Sequence, residues 1–369
     1  MRSYDAIVAG GSISGLLAAR EIAAGGASVV VLEEDAEIGT PEHCGGLVSI
    51  SGIANLGIMP DSSAIENDRI KHARILSPSS GFDISAEKQK VMVLDRRALD
   101  KQVAFQAQKL GAEIRVKCSM KSFEKKGEGC HVRTSDGDLD CKYFVDARGV
   151  ASMIGKNREG VLQSAQYEVY APWIERDTIE VAFDSHLYPG FFAWIIPTRQ
   201  GSGKVGVAGK GINAANSLNA YMESKGGKFS IVRKVYAPIW VDGPIDNFAP
   251  ARTVIVGDAA GQSKPTTAGG IYTCGMGGVL AGRAVASAVS DNGIGLARYE
   301  EGWRAMFGSE FDKMLLARRL LERIDNKAID ELFAAIPKDK IEEASATGDF
   351  DFHSAALAKI LGAKSAVKM

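Results

Sequence analysis

No CxxC pair occurs in this sequence. Its five cysteines (Cys44, Cys118, Cys130, Cys141 and Cys274) are odd in number, which excludes a simple disulfide framework and reads as free thiols in a reducing compartment. His72, His131, His186 and His353 have no spacing suited to ligation, so no metal site is expected. Apolar runs are short: residues 6–9 run straight into glycines, and none approaches the roughly 20 residues needed to cross a bilayer. Neither an export signal nor a spanning segment is expected, and the location reads as cytoplasmic. An excess of one charge is missing too, since the formal net charge is -1. With no long-range field to attract polyanions, nucleic acid is excluded as a partner. Internal repeats and low-complexity segments are absent. What is present, 46% hydrophobic and 24% charged residues over 369 positions, is ordinary folded composition at a length suited to two interleaved lobes.

Residues 6–9 read as a buried strand, 14–25 as a helix with Leu16, Leu17, Ala18, Ala19, Ile22 and Ala23 on one side, and 28–32 as a second strand. A β-α-β unit crosses over right-handed, which makes the two strands parallel neighbours. Residues 33–68, rich in Gly, Ser and Pro, read as a long irregular and functional loop. The pattern resumes with a strand at 91–94, a helix at 97–110, a strand at 113–118 and a small meander turning at Ser135-Asp136-Gly137-Asp138. Between about 164 and 246 the chain becomes β-rich and aromatic, with strands at 167–171, 178–183, 191–196 and 204–208. These read as a separate antiparallel sheet. Residues 253–256 are again a short apolar strand of the parallel type, so the chain returns to its first lobe. Beyond Gly275 it is helical, with Phe307, Phe311, Met314, Leu315, Arg318 and Leu321 at helical spacing.

Gly10-Gly11-Ser12-Ile13-Ser14-Gly15 lies between the first strand and the helix. A Gly-rich turn there aims backbone N–H groups and the positive end of a helix dipole at a pyrophosphate. Gly10 gives the tight turn and Gly15 lets the helix pack on the sheet, while Ser12 replaces the middle glycine of GxGxxG. Glu33, with Glu34 beside it, follows the second strand, where a carboxylate accepts bonds from ribose hydroxyls.

Residues 253–261, reading Thr-Val-Ile-Val-Gly-Asp-Ala-Ala-Gly, precede Pro265 and Ala268-Gly269-Gly270-Ile271. The segment resembles the second FAD fingerprint of the flavoprotein group that includes aromatic-ring hydroxylases and geranylgeranyl reductases. The resemblance implies FAD and an α/β, p-hydroxybenzoate-hydroxylase-like fold. That fold has a Rossmann-type FAD-binding domain, an inserted antiparallel β-sheet substrate domain and a helical C-terminus. The expected divisions are 1–70, 91–160 and 248–300 for FAD, 71–90 and 161–247 for the substrate sheet, and 301–369 for the helical end. In that group the Asp, here Asp258, meets the ribityl or phosphate portion of FAD. The turn at Gly269, Gly270 and Ile271 opens a helix toward the flavin pyrimidine edge, where its dipole stabilises negative charge on reduced flavin. Arg96, in Leu94-Asp95-Arg96-Arg97-Ala98-Leu99-Asp100, is implied near the FAD phosphates, and a helix-start ion pair with Asp100 competes with that role. Arg148 in Asp146-Ala147-Arg148-Gly149 stands where aromatic hydroxylases carry an Asp used for FAD and NADPH, which weighs against hydroxylation.

Pro41-Glu42-His43-Cys44-Gly45-Gly46-Leu47-Val48-Ser49 resembles the Cys-Gly loop of the geranylgeranyl reductase family. Phe192-Ala193-Trp194-Ile195-Ile196-Pro197, then Gly206 after an eight-residue gap, resembles its aromatic-x-Trp-x-x-Pro element. Phe192 stands in place of the usual Tyr, and the second glycine of the later Gly-x-Gly is missing. The likeness implies hydride transfer from reduced flavin to a C=C bond of a polyprenyl chain on a lipid, quinone or diphosphate. Cys44, within the cofactor-facing loop Cys44-Gly45-Gly46, is the implied proton donor or positioning group. Phe192, Trp194, Pro197 and Gly206 are the implied substrate contacts; a plain sheet core competes for each but Trp194. The reductant is expected to be NAD(P)H or a ferredoxin-type donor protein. Two other activities share the FAD fingerprints, a flavin monooxygenase or halogenase and an electron-transfer flavoprotein serving a quinone or a protein. The tail, with Leu357, Ile360, Leu361 and Val367 among Lys359, Lys364 and Lys368, offers a peripheral membrane contact, against which a packed or disordered terminus competes.

Overall fold

Strand β1 (Arg2–Ala9) buries Ala6, Ile7, Val8 and Ala9 almost completely, and helix α1 (Ile13–Ala24) covers it with Leu16, Leu17, Ala18, Ala19 and Ile22 at no exposure. Each larger aliphatic side chain removed from water in this way contributes roughly 1.5–3 kcal/mol. Strand β2 (Val29–Leu32) pairs with β1 in parallel, as the crossover rule requires. The computed structural model describes residues 2–154, 159–291 and 293–352. The residues of the proposed membrane contact in the tail lie outside them.

The stretch expected to be irregular holds β3 (Leu47–Ser49), α2 (Ile50–Asn55) and β4 (Ile65–Asn67). Elements of three to six residues are too short for a hydrophobic period to appear. Ser49 starts α2 by accepting the Gly52 N–H at 2.8 Å. Next come β5 (His72–Leu76) and β6 (Gly81–Ser85), then β7 (Val91–Leu94), which pairs antiparallel with both β3 and β4. Helix α3 (Arg96–Lys109) leads into β8 (Glu113–Arg115), parallel to β2. Strands β9 (Met120–Lys126), β10 (Gly129–Thr134) and β11 (Gly137–Asp146) form the meander, and β11 runs on as the parallel neighbour of β1. After the short α4 (Ala151–Ile154) come β12 (Val161–Tyr170), β13 (Thr178–Ala182), β14 (Ala193–Arg199) and β15 (Ser202–Gly209). Helix α5 (Ala214–Ser224), β16 (Ser230–Trp240) and β17 (Thr253–Ile255) follow, and β17 joins β11 in parallel. Helices α6 (Ile271–Asp291), α7 (Ala297–Leu321), α8 (Asn326–Ala334) and α9 (Lys338–Thr347) close the described chain.

The first sheet is ordered β8-β2-β1-β11-β10-β9, with β17 also on β11, and α1 lies against α6. The second is ordered β16-β12-β15-β14-β13-β5-β6. Its pairs are antiparallel except β5 with β13, which run parallel because β5 enters from a distant part of the chain. Two of its neighbours were not read from the sequence. Strand β16 lies at the edge with alternate residues exposed, but Arg233 falls on its inner face and Val232 and Tyr236 on its outer one, so no clean apolar alternation marks it. Helix α5 covers the sheet with Leu218, Tyr221 and Met222. Phe191 and Phe192 stand before β14 rather than within it, so strand alternation does not govern them. Both are buried, with rings stacked 4.2 Å apart. In α7, Tyr299, Trp303, Phe307 and Phe311 form the buried stripe against the first core, with Met314 buried beyond them.

Candidate cofactor and substrate site

The turn after β1 is built for close approach. Gly10 has φ +110°, and a Cβ there would meet the Ala147 carbonyl oxygen at 2.3 Å; one at Gly15 would meet the Gly10 carbonyl oxygen at 2.0 Å. Only glycine lets α1 start this close to the sheet. Ser12, in extended conformation ahead of Ile13, makes no capping bond with its own side chain. The α1 N-terminus, with buried Ser14 and Gly15 in its first turn, therefore keeps backbone donors for a ligand. Gly11 donates to Glu33 Oε2 at 2.8 Å and Asp35 to Glu33 Oε1 at 2.9 Å, and burial pushes the Glu33 carboxyl up against these bonds. Glu34 is exposed.

Arg96, the first residue of α3, joins segments far apart in sequence. Its Nη2 donates to Asp100 Oδ1 and Oδ2 at 2.8 and 3.0 Å and reaches Ser12 Oγ at 3.5 Å, and the guanidinium lies near enough to the Cys44 thiol for the two to interact electrostatically. Burial opposes its charge, but Asp100 keeps it firmly protonated. The ion pair with Asp100 is thus real, and it leaves Arg96 Nε buried without a partner among the described residues. A buried unmatched donor is costly, and an acidic ligand at the Gly-rich turn would satisfy it.

Asp258 follows β17 at the same place. It is half-buried, accepts the Cys274 Sγ–H at 3.5 Å, and is pushed up by burial while the Arg96 charge pulls the other way. Cys274, buried in the first turn of the helix that follows Gly270, is therefore a partner of Asp258. Gly269 and Gly270 lie directly before Ile271, the buried first residue of α6. Arg148 is engaged locally, its Nε and Nη2 donating to Asp146 at 2.9 and 2.8 Å.

The Cys44 loop is half-buried beside these groups. Gly46, at φ +80°, donates its N–H toward Cys44 Sγ at 3.4 Å, and a Cβ on it would strike the Leu94 carbonyl oxygen at 2.1 Å. A Cβ on Gly45 would strike Ile196. Gln166 of β12, which no motif marks, donates to the Cys44 carbonyl oxygen at 3.2 Å and accepts the Trp194 indole N–H at 3.2 Å. Phe192, Trp194, Phe183 and Ala268 share one apolar cluster, which brings the aromatic strip against the turn before α6. Gly206 lies under the Trp194 ring. Pro197 is buried further along β14, where its carbonyl takes the Asn67 amide at 2.8 Å.

Four more buried charged groups went unread because a single charged residue in an apolar stretch has no period to betray it. Glu42 and Lys204 pair at 2.7 Å, both almost fully buried. Lys264 Nζ stands 3.4 Å from Asp351 and over the Phe350 ring, and Asp351 accepts the Ser49 hydroxyl. Burial lowers the Lys264 pKa, against the nearby Asp351. Among the described residues no His, Cys, Asp and Glu group is suited to a metal ion.

Comparison with known proteins gives a consistent set. The family model for an FAD binding domain matches residues 3–217. Digeranylgeranylglycerophospholipid reductase 2 of Methanothermobacter thermautotrophicus is 30% identical, over 90% of this chain and 91% of that protein. The protein of the same name from Methanopyrus kandleri is 28% identical, over 92% and 91%. A geranylgeranyl bacteriochlorophyll reductase-like structure from Thermoplasma acidophilum superposes with TM-score 0.85 at 24% identity, covering 99% of this chain and 96% of that one. The p-nitrophenol 4-monooxygenase of Pseudomonas putida superposes with TM-score 0.70 at 15% identity, covering 99% and 98%. These two solved structures share the fold.

Proposed function

The chain belongs to the FAD-binding family of the digeranylgeranylglycerophospholipid reductases, and from that membership we propose that it saturates C=C bonds in the polyprenyl chain of an isoprenoid lipid. It is an FAD-dependent oxidoreductase. When bound and reduced, FAD supplies the hydride that goes to one alkene carbon. The α1 N-terminus with Gly10, Gly11, Ser12, Ile13, Ser14 and Gly15 would hold its pyrophosphate, with the free Arg96 Nε alongside. Glu33 would take the ribose, Asp258 the ribityl side, and the turn Gly269-Gly270-Ile271 the pyrimidine edge, where the α6 dipole meets negative charge.

Cys44, directly or through a water it orders, gives the proton to the other alkene carbon, so each saturated bond gains one hydride and one proton. Arg96 beside the thiol meets the negative charge left on sulfur. Phe192 and Trp194 offer the prenyl chain an apolar wall that keeps water from the reacting carbons. The observation that carries this reading is the convergence at Arg96, where Ser12, Cys44 and Asp258 come together beside an unsatisfied buried donor. Arg148, standing where aromatic hydroxylases carry an Asp, weighs against hydroxylation.

A long prenyl chain is nearly insoluble, and among the described residues no helix is long and apolar enough to cross a membrane. We place the meeting with its substrate at a membrane surface, where such a chain resides. The test is mass spectrometry of lipids, quinones and prenyl diphosphates from a host that makes unsaturated prenyl chains and expresses this protein. Gain of two hydrogens per bond in the glycerolipid fraction is expected. Gain of an oxygen would make it a hydroxylase, and unchanged products with active flavin would make it an electron carrier.

A further inference from the structure

Glu42 lies two residues before Cys44, and its carboxylate is wholly withdrawn from water. It is the meeting point of three elements. Oε1 accepts the backbone N–H of Arg96 at 3.1 Å and the Lys204 ammonium from β15 at 2.7 Å. Oε2 accepts Arg233 Nη2 from β16 at 2.9 Å, with Arg97 Nε 3.7 Å away. Lys204 is equally hidden, and it also meets Glu66 Oε2 at 2.8 Å and the Leu94 carbonyl oxygen at 3.5 Å. Burial works against the Lys204 ammonium, but Glu42 and Glu66 hold its pKa above the ordinary value.

A buried ion pair is a poor source of net stability, since the desolvation of both charges offsets their attraction. Its strength is directional. Each partner is confined to the few positions that satisfy the other, so the pair fixes where its two backbones stand. Here one backbone is the Cys44 loop. The other is β15, two residues from Gly206, over which the Trp194 ring lies. The third bond, from Arg96 N–H, ties the same carboxylate to the residue whose side chain reaches Ser12 and Cys44. We propose that Glu42 and Lys204 are positioning residues for alkene reduction, setting the Cys44 loop at once against the cofactor turn and the Trp194 wall. The proposal rests on the function given above.

The experiment uses the FAD-loaded full chain and the variants Glu42→Gln, Lys204→Met and the two combined. Three quantities are read: flavin content by absorbance, the rate at which iodoacetamide alkylates Cys44, and steady-state kcat and KM. Cys118, Cys130, Cys141 and Cys274 are buried and serve as internal controls for global unfolding. Each single variant should keep its flavin, alkylate faster at Cys44 alone, and lose about 10- to 100-fold in kcat at little-changed KM, the scale of a misplacement near 1 Å. The combined variant should be no worse than either single one, because the two residues act as a unit.

If Lys204→Met does not fold, Glu42→Gln and the combined variant still decide. Additive losses, or unchanged alkylation and kcat in a protein that only melts earlier, would overturn the proposal. Loss of flavin would overturn it too, since the pair would then serve cofactor retention. Should the unaltered enzyme reduce no alkene, the function above fails, while alkylation and flavin content still show whether the pair places the loop.

Discussion

The indole of Trp194 fills the space in which a side chain at Gly206 would stand. A Cβ there would lie 2.3 Å from the ring. Gly206 faces Trp194 on β14 in register and Gln166 on β12 on its other side. The ring therefore crosses a whole strand to donate to Gln166 Oε1, and Gln166 in turn holds the Cys44 carbonyl. The interval between Trp194 and Gly206 is thus a steric requirement of the sheet. Gly206→Val should push the ring aside, costing roughly 1–3 kcal/mol as overpacking does, and lower turnover while flavin content stays unchanged. Urea denaturation and alkene reduction measure the two effects. Full turnover with a lower denaturation midpoint would detach Trp194 from the chemistry.

The cofactor turn is less forgiving. Because a Cβ at residue 15 meets backbone oxygen at 2.0 Å, Gly15→Val must shift α1 away from the sheet, and with it every donor at the helix N-terminus. The purified variant should be colourless. If it folds and carries a full complement of FAD, the pyrophosphate is bound elsewhere.

Short all-apolar strands and helices with a periodic apolar face were legible from sequence: α1, β2, β7 and α3 lie within a residue of their expected places, whereas β1 begins four residues earlier than its apolar run and α7 starts at Ala297, well before Phe307 and Phe311. So were the segments that meet at Arg96, because glycines forced by backbone contact leave a spaced pattern. What escaped was of two kinds. Elements such as β3, α2 and β4 have too few residues to repeat a period, and in edge strand β16 Arg233 on the inner face with Val232 and Tyr236 on the outer one blurs the alternation, so neither shows in hydropathy. Gln166, Glu42 and Lys204 are single polar residues whose partners lie across the fold at separations of 28 to 162 residues, and nothing local marks them.

Cys44 is open to a direct test. It is half-buried and packs only at the edge of the first core, so Cys44→Ala should change stability little and leave FAD in place. If it carries the proton, kcat should fall by about 100-fold or more, the contribution of a positioned general acid. Cys44→Ser keeps an ordered hydroxyl and should recover part of the loss if a water relays the proton. A stability loss on the scale of a core truncation, with turnover intact, would return Cys44 to a packing role.

The start of α3 controls where Arg96 stands, and it is held by a titratable cap. Asp95 accepts the N–H groups of Arg97 at 2.8 Å and Ala98 at 3.2 Å, and its other oxygen takes Arg97 Nη2 at 3.0 Å. Burial alone would raise its pKa, but the Arg97 side chain and the two backbone donors outweigh burial and hold it below the ordinary 3.8. The folded state therefore prefers the ionised form. The resulting stability is complete above the unfolded value and is lost as pH falls through the lower, folded one. Asp95→Asn keeps an acceptor at the cap and removes the charge. It should cost roughly 0.3–1 kcal/mol at neutral pH, the worth of a negative charge at a helix N-terminus, and the difference from the unaltered protein should shrink as the carboxyl becomes protonated. Paired melting curves taken from neutral pH down through the carboxylate range measure this. A gap that stays constant into acid would mean that shape at the cap, rather than the charge of Asp95, fixes the first turn of α3.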